Sequence, residues 1–143
     1  MLFREPPPDF VKGVDVVGCY LEHEGRIALL HRLPGKSSGD SWGLPAGKAE
    51  PGESLPEAMV REIREETGIE IPASTLTSHE SFFVQHPGRQ FIYHTFSASL
   101  DARPDIVLHP DEHHDYRWVT PRDALELPLV SDQDECIRIH YGI

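Results

Sequence analysis

Between Ser54 and Gly68 the chain spells out a helix together with both of its ends. Ser54-Leu55-Pro56-Glu57 places an N-cap serine three residues ahead of a glutamate, with proline in the first turn, where its missing N–H leaves no bond unmade. Gly68 supplies a left-handed terminating residue, and Pro72 prevents resumption soon after. The helix is therefore expected from about Leu55 to Thr67. At about 100° per residue, Leu55, Met59 and Ile63 share one arc, extended by Pro56 and Val60, and that arc faces a core. Glu62, Glu65 and Glu66 share a neighbouring arc about 100° wide that borders the apolar stripe. Arg61 and Arg64 are expected to point elsewhere.

Such a cluster has two readings. It can be a solvated face laced with Glu57–Arg61 and Arg61–Glu65 pairs, each contributing only about 0.2–0.5 kcal/mol. Against this, no lysine or arginine four residues away can neutralise all three glutamates, so they repel one another and call for a cation. The helix also follows a glycine-rich loop whose backbone can approach a ligand closely. Clustered carboxylate oxygens suit a hard divalent ion, Mg²⁺ or Mn²⁺, held jointly with substrate phosphates. Spacing alone thus suggests metal-assisted phosphate chemistry.

The remaining sequence sets bounds on this reading. A chain of 143 residues is most simply one domain, read here as 13–143 preceded by an extended arm over 1–12 that carries Pro6-Pro7-Pro8. A formal net charge of −11, from 13 Lys+Arg against 24 Asp+Glu, argues against tight binding to a DNA or RNA backbone or to an anionic membrane. If the substrate is a phosphate anion, metal ions must mediate. The two cysteines, Cys19 and Cys136, lack ligand spacing and are read as ordinary thiols. Nothing approaches an apolar run of about 18 residues, and MLFREPPPDF lacks the features of a secretory signal, so a soluble, cytoplasmic protein is expected.

Along the chain, GVDVVGCYLEHEGRIALLHR gives two β-rich runs around Glu24-Gly25, a hairpin signal. LPGKSSGDSWGLPAGKAEPGE, dense in Gly, Pro and Ser, is expected as one long irregular loop, and loops of that length are often functional. After the helix, SHESFFVQ and QFIYHTFSASL read as strands around His86-Pro87-Gly88, and DYRWVT as another. PRDALEL, capped by Thr120, and DQDECIRIHYG read as two short helices. Strands interleaved with helices imply a mixed α/β sandwich.

The helix and its lead-in also match a known pattern. Gly47, five residues, Glu53, seven residues, then Arg61-Glu62-Ile63-Arg64-Glu65-Glu66-Thr67-Gly68-Ile69 fits GX5EX7REUXEEXGU, the Nudix box, at every specified position. Leu29-Leu30-His31-Arg32 before it and Trp42-Gly43-Leu44-Pro45-Ala46-Gly47-Lys48 leading in also resemble the Nudix hydrolases, over roughly Gly13 to Leu127. One departure is Ala46, where many members have glycine; Ala46 can still offer its carbonyl to a metal if its backbone conformation permits. The resemblance implies the Nudix fold, an α/β/α sandwich with a mixed β-sheet, and hydrolysis of a nucleoside diphosphate linked to another group X. It implies Glu62, Glu65, Glu66 and Ala46 as ligands of Mg²⁺ or Mn²⁺, Glu65 and Glu66 also as catalytic, and Glu53 and Arg61 as supports of the loop. Water would attack one phosphorus of the pyrophosphate.

Outside the box, several members carry a further glutamate near the stretch Asp111-Glu112-His113-His114-Asp115-Tyr116-Arg117-Trp118-Val119. Glu112 matches it best and Asp111 second, against the alternative of an ordinary acidic turn. Histidines 109, 113 and 114 fall in an expected loop without spacing for convergent ligands and are read as loop histidines. Trp118 is read as sheet packing. Arg32 resembles a phosphate-contacting position. Phe83, Arg89, Phe91 and Tyr93 lie on strands that line the nucleotide side in many members, with Phe83, Arg89 and Tyr93 taken as substrate-binding; which of them point inward depends on register. The leading expectation is a MutT-like nucleoside triphosphate pyrophosphohydrolase, giving monophosphate and pyrophosphate, acting as a monomer or homodimer. Nucleotide-sugar or ADP-ribose hydrolysis is the alternative. The stretch around Glu112 resembles that of mannosyl hydrolases acting on GDP-mannose, although those depart from the box within the glutamate cluster. A non-catalytic nucleotide-sensing Nudix module is the alternative of another class; such modules commonly lose box glutamates, all of which this chain keeps.

Overall fold

The computed structural model describes residues 1–36 and 39–143, so Ser37 and Ser38 of the expected long loop lie outside the described residues. Strands β1 (Leu2–Phe3), β2 (Val14–His23), β3 (Arg26–Arg32), β4 (Trp42–Gly43), β5 (Ala46–Lys48), β6 (Thr77–His86), β7 (Arg89–Ser99) and β8 (His113–Val119) form one mixed sheet. Its order is β1-β6-β7-β2-β3-β4, with β5 also on β2 and β8 also on β3. The helices are α1 (Leu55–Thr67), α2 (Pro121–Ala124) and α3 (Gln133–Tyr141).

Central to the sheet is β2, whose alternating side chains serve two cores. Val17, Cys19 and Leu21 join Ala28, Leu30, Met59, Ile63 and Phe96 beneath α1. Tyr20 on the opposite face joins Ile27, Leu29, Trp42, Ala124 and Ile137 beneath α2 and α3. Next to that second core, Val16, Phe82, Val84, Tyr93 and Cys136 form a third cluster. Helices therefore cover both faces, as the mixed α/β/α sandwich requires.

Helix α1 keeps the boundaries read from its sequence. The Ser54 hydroxyl accepts from the Glu57 amide at 3.2 Å, and Gly68, at φ 75°, donates its N–H to the Arg64 carbonyl. The N-cap of α2 is Thr120, whose hydroxyl accepts from the Asp123 amide. The long loop departs from expectation, because it contains β4 and β5. Ala46–Lys48 pairs antiparallel with Val16–Gly18, and Trp42–Gly43 with Leu30–His31. The partner strands supply the ladder that local composition did not announce. Leu2–Phe3 of the N-terminal segment likewise pairs with Phe83–Val84.

Parallel pairing of β2 with β7 sets Gly18 beside Thr95 and Val16 beside Tyr93. The Tyr93 ring and hydroxyl fill the space a Cβ on Gly18 would need. Gly18→Ala is expected to lower stability by about 1–3 kcal/mol in denaturant unfolding. In the Tyr93→Phe background, where the nearest colliding atom is gone, the loss should be smaller; an equal loss would show that Tyr93 is not what the new methyl meets.

Candidate active site

The Glu62, Glu65 and Glu66 arc of α1 lies against β5. Glu62 and Glu66 are buried, at 9% and 5% exposure, while Glu65 is half exposed. Glu66 accepts a hydrogen bond from the Ala46 amide at 3.0 Å, which pins the carboxylate to β5. The Glu62 carboxylate occupies the space where a side chain on Gly47 would begin, so only glycine lets helix and strand approach this closely here. Ala46 is not among the positive-φ residues, so replacing the more usual glycine imposes no left-handed strain.

Arg61 does not point away from the cluster, as helical spacing alone suggested. Its Nε and Nη2 donate to the two Glu53 oxygens at 2.7 and 3.0 Å, a forked pair. Nη2 also reaches the Lys48 carbonyl at 3.0 Å, while Nη1 donates to Glu62 at 2.9 Å and Glu65 at 3.2 Å. One guanidinium thus binds the loop carboxylate, the end of β5 and two of the three helix carboxylates. The long arginine side chain folds back over the helix surface, which a projection of Cα positions does not capture.

Electrostatics follow from burial. The Glu66 carboxyl is pushed well above the usual range by desolvation, against the Ala46 amide bond that favours its charge; Glu62 and Glu112 add to the rise. Glu62 is also raised, again by burial first, with Arg61 pulling the other way. Two desolvated carboxylates with only part of their charge answered by Arg61 fit a cation site, and their oxygen ligands fit a hard divalent ion. Glu62, Glu65, Glu66 and the Ala46 carbonyl are the groups that would hold it.

Glu112, whose charge adds to the rise at Glu66, lies in the turn that leads into β8, where its backbone carbonyl accepts from the Leu33 amide. Asp111 lies in the same turn, its amide donating to the His109 ring at 3.3 Å. Arg32 ends β3 and its charge, after burial, helps hold the neighbouring His113 down at about 4. His113 and His114 belong to β8 rather than to a loop.

Strand register divides the proposed nucleotide contacts. Tyr93 opposes Phe82, and Phe91 opposes Val84, on the face beneath α3, whereas Phe83 opposes Ile92 on the other face and packs edge-on against Phe10. Tyr93 is buried, and desolvation raises its hydroxyl. Arg89 is exposed at the hairpin turn, its guanidinium 4.8 Å from the Phe91 ring centre. Phe83, Arg89 and Tyr93 therefore do not converge on one surface. Trp118 packs against the core beneath α1. Sequence reasoning missed Gln133, a buried amide at the start of α3 that accepts from the Leu44 amide at 3.5 Å, two residues before Ala46. Its position at a helix start carried no signal for that contact.

A family model described as NUDIX domain matches residues 10–138, so the chain belongs to this family, and the class of enzyme it defines is the Nudix pyrophosphohydrolase, a divalent-metal-dependent hydrolase. The chain is 34% identical over 123 residues to the CTP pyrophosphohydrolase of Escherichia coli (strain K12), covering 84% of this chain and 85% of the relative. It is 29% identical over 132 residues to the RNA pyrophosphohydrolase of Erythrobacter litoralis, covering 80% and 79%. Among solved structures, the E. coli ORF135 protein superposes with a TM-score of 0.75 at 28% identity, covering 96% of this chain and 94% of that one. Among the described residues, no helix is long and apolar enough to cross a membrane.

The Glu53 carboxyl is held down at about 2, first by the Arg61 hydrogen bonds and then by the Glu50 amide. Because this lies below its ordinary value of 4.5, the stabilisation is full above that pH and is lost as pH falls toward 2. The Tm gap between wild type and Glu53→Gln should be widest near neutrality and close through that acid window. A gap that stays constant to the acid limit would remove the charge of Glu53 from this account.

Proposed function

We propose that this chain hydrolyses a nucleoside triphosphate to the monophosphate and pyrophosphate, with Mg²⁺ bound by Glu62, Glu65, Glu66 and the Ala46 carbonyl. The observation that carries the substrate class is similarity along most of both chains to a CTP pyrophosphohydrolase, which makes CTP the first nucleotide to test. The complete glutamate set, held against β5 by the Ala46 amide and the Gly47 contact, supports the same reading.

The bond broken is the anhydride between the α and β phosphorus atoms. Water supplies the oxygen that ends on one of them, and its proton passes to a carboxylate. A bound divalent ion supplies charge neutralisation for the phosphate oxygens. Glu65, half exposed beside the buried pair, and Glu112, in the turn before β8, are the carboxylates assigned to accept the proton. Arg32, at the end of β3, is assigned to the substrate phosphates, for which its planar fork is suited. Arg61 acts indirectly: it orients Glu62 and Glu65 and ties them to the Glu53 loop.

Purified protein with Mg²⁺ should release pyrophosphate from at least one member of a panel of nucleoside triphosphates, oxidised dGTP included. ADP-ribose, nucleotide sugars and a 5′-triphosphate RNA complete the panel; turnover confined to one of these would reassign the substrate. Glu66→Gln should cut turnover roughly 100-fold or more. The same substitution removes a charge that burial penalises, so the Tm of the metal-free protein should hold or rise. Mg²⁺ should then raise the Tm of wild type more than that of the variant. A variant that keeps full turnover and the full Mg²⁺ shift would return this helix face to plain surface.

A further inference from the structure

Where β3 meets β4 and β8, a second group of ligand-bearing side chains converges that shares no residue with the glutamate cluster. His31 of β3, Asp40 of the segment before β4, and His114 of β8 bring one ligand atom each to within 4.8 Å of one another. The three come from separate elements, and each is aimed by a specific local feature.

His31 is fixed in plane and tautomer. Its ring stacks on Trp42 at 4.3 Å with 6° between planes. Its Nε2 lies 3.0 Å from the Asp40 carbonyl, to which it donates, leaving Nδ1 as the lone-pair nitrogen. That pattern, one imidazole nitrogen donating to a backbone carbonyl and the other turning its lone pair outward, here toward the His114 ring, is the usual arrangement of a histidine that ligates a metal. His114 is aimed by an irregularity in the ladder: His31 opposes Asp115 and Arg32 opposes His113, so His114 is the extra residue of a β-bulge. A bulge re-aims a side chain, and here it brings the His114 Nε2 to 3.0 Å from the His31 Nδ1. Ligand atoms on a tetrahedral ion with bonds near 2.0–2.1 Å are about 3.3 Å apart, so this separation suits two nitrogens on one ion. Asp40 adopts φ 62°, and its carboxylate lies 4.0 Å from the same His31 Nε2 that donates to its carbonyl.

We propose that His31, His114 and Asp40 form a binding site for a transition-metal ion of the zinc type, separate from the Mg²⁺ glutamate cluster. Two imidazoles and one carboxylate select Zn²⁺, Ni²⁺ or Cu²⁺ over Mg²⁺. With the ion bound, the segment carrying Asp40 is clipped to β8, next to Arg32 and two residues from Glu112. His109 and His113 do not take part: the site needs His31, which is distant in sequence from all of the clustered histidines.

The test is titration of metal-free full-length protein with ZnCl₂ in excess Mg²⁺, so that the glutamate cluster is occupied by the harder ion, read by calorimetry and by the Zn²⁺-induced shift in Tm. Wild type should bind one equivalent with a rise in Tm, and His114→Ala should weaken binding by at least about 10-fold and lose the Tm rise. His114→Gln, closer in size, should behave the same way, which guards against a folding defect in the alanine variant. Glu65→Gln should bind Zn²⁺ as wild type does. No binding by wild type, unchanged binding in both His114 variants, or loss of binding in Glu65→Gln would each overturn the site and leave a hydrogen-bonded histidine pair. Pyrophosphate release enters none of these readouts, so the outcome is independent of the substrate assignment.

Discussion

Arg61 is the residue through which loop, strand and helix are held in one geometry. Its guanidinium grips both oxygens of Glu53, caps the Lys48 carbonyl at the end of β5, and reaches Glu62 and Glu65 on its own helix. Without it, the carboxylates of α1 would face one another with burial raising the cost of each charge. With it, part of that charge is answered and the loop is fixed at the same time. Burial of Glu66 against the Ala46 amide completes the set, so the site is a property of the α1–β5 contact rather than of either element.

The contact is possible because two glycines leave room where side chains would collide. At Gly47 the space is taken by the Glu62 carboxylate, and at Gly18, its near neighbour across the β2–β5 ladder, by Tyr93. One omission lets a helix approach the sheet from one face, and the other lets an aromatic side chain close over the opposite face. The same short segment of sheet is thereby covered on both sides, which keeps Ala46 aligned for Glu66.

Much of this was legible in the chain. The caps at Ser54 and Gly68 and the spacing of Glu62, Glu65 and Glu66 are local properties, and local properties can be read without knowing the fold. β4 and β5 were not legible, because Gly47 and Gly43 sit in strands for the sake of partners distant in sequence. Arg61 was misdirected for a related reason: its seven-atom reach depends on where Glu53 and Lys48 end up. The division of Phe83 from Tyr93 required a register, and no periodicity within either strand could supply it. His31 and His114 are farther still, since their meeting depends on a bulge that only the pairing of β3 with β8 reveals.

The pairing of β2 with β7 joins Val14–Glu22 to Phe91–Ser99, with most of the chain's middle enclosed between them. Contacts of that span form slowly, because a long loop must be closed before they begin to stabilise anything. Helix α1, with its own caps and i,i+4 contacts, can form far earlier. The three glutamates are therefore set on one arc by sequence near at hand, while their approach to β5 depends on a sheet closed across that whole span. Long-range closure, rather than composition, separates a merely acidic helix from one whose carboxylates are pinned against a strand.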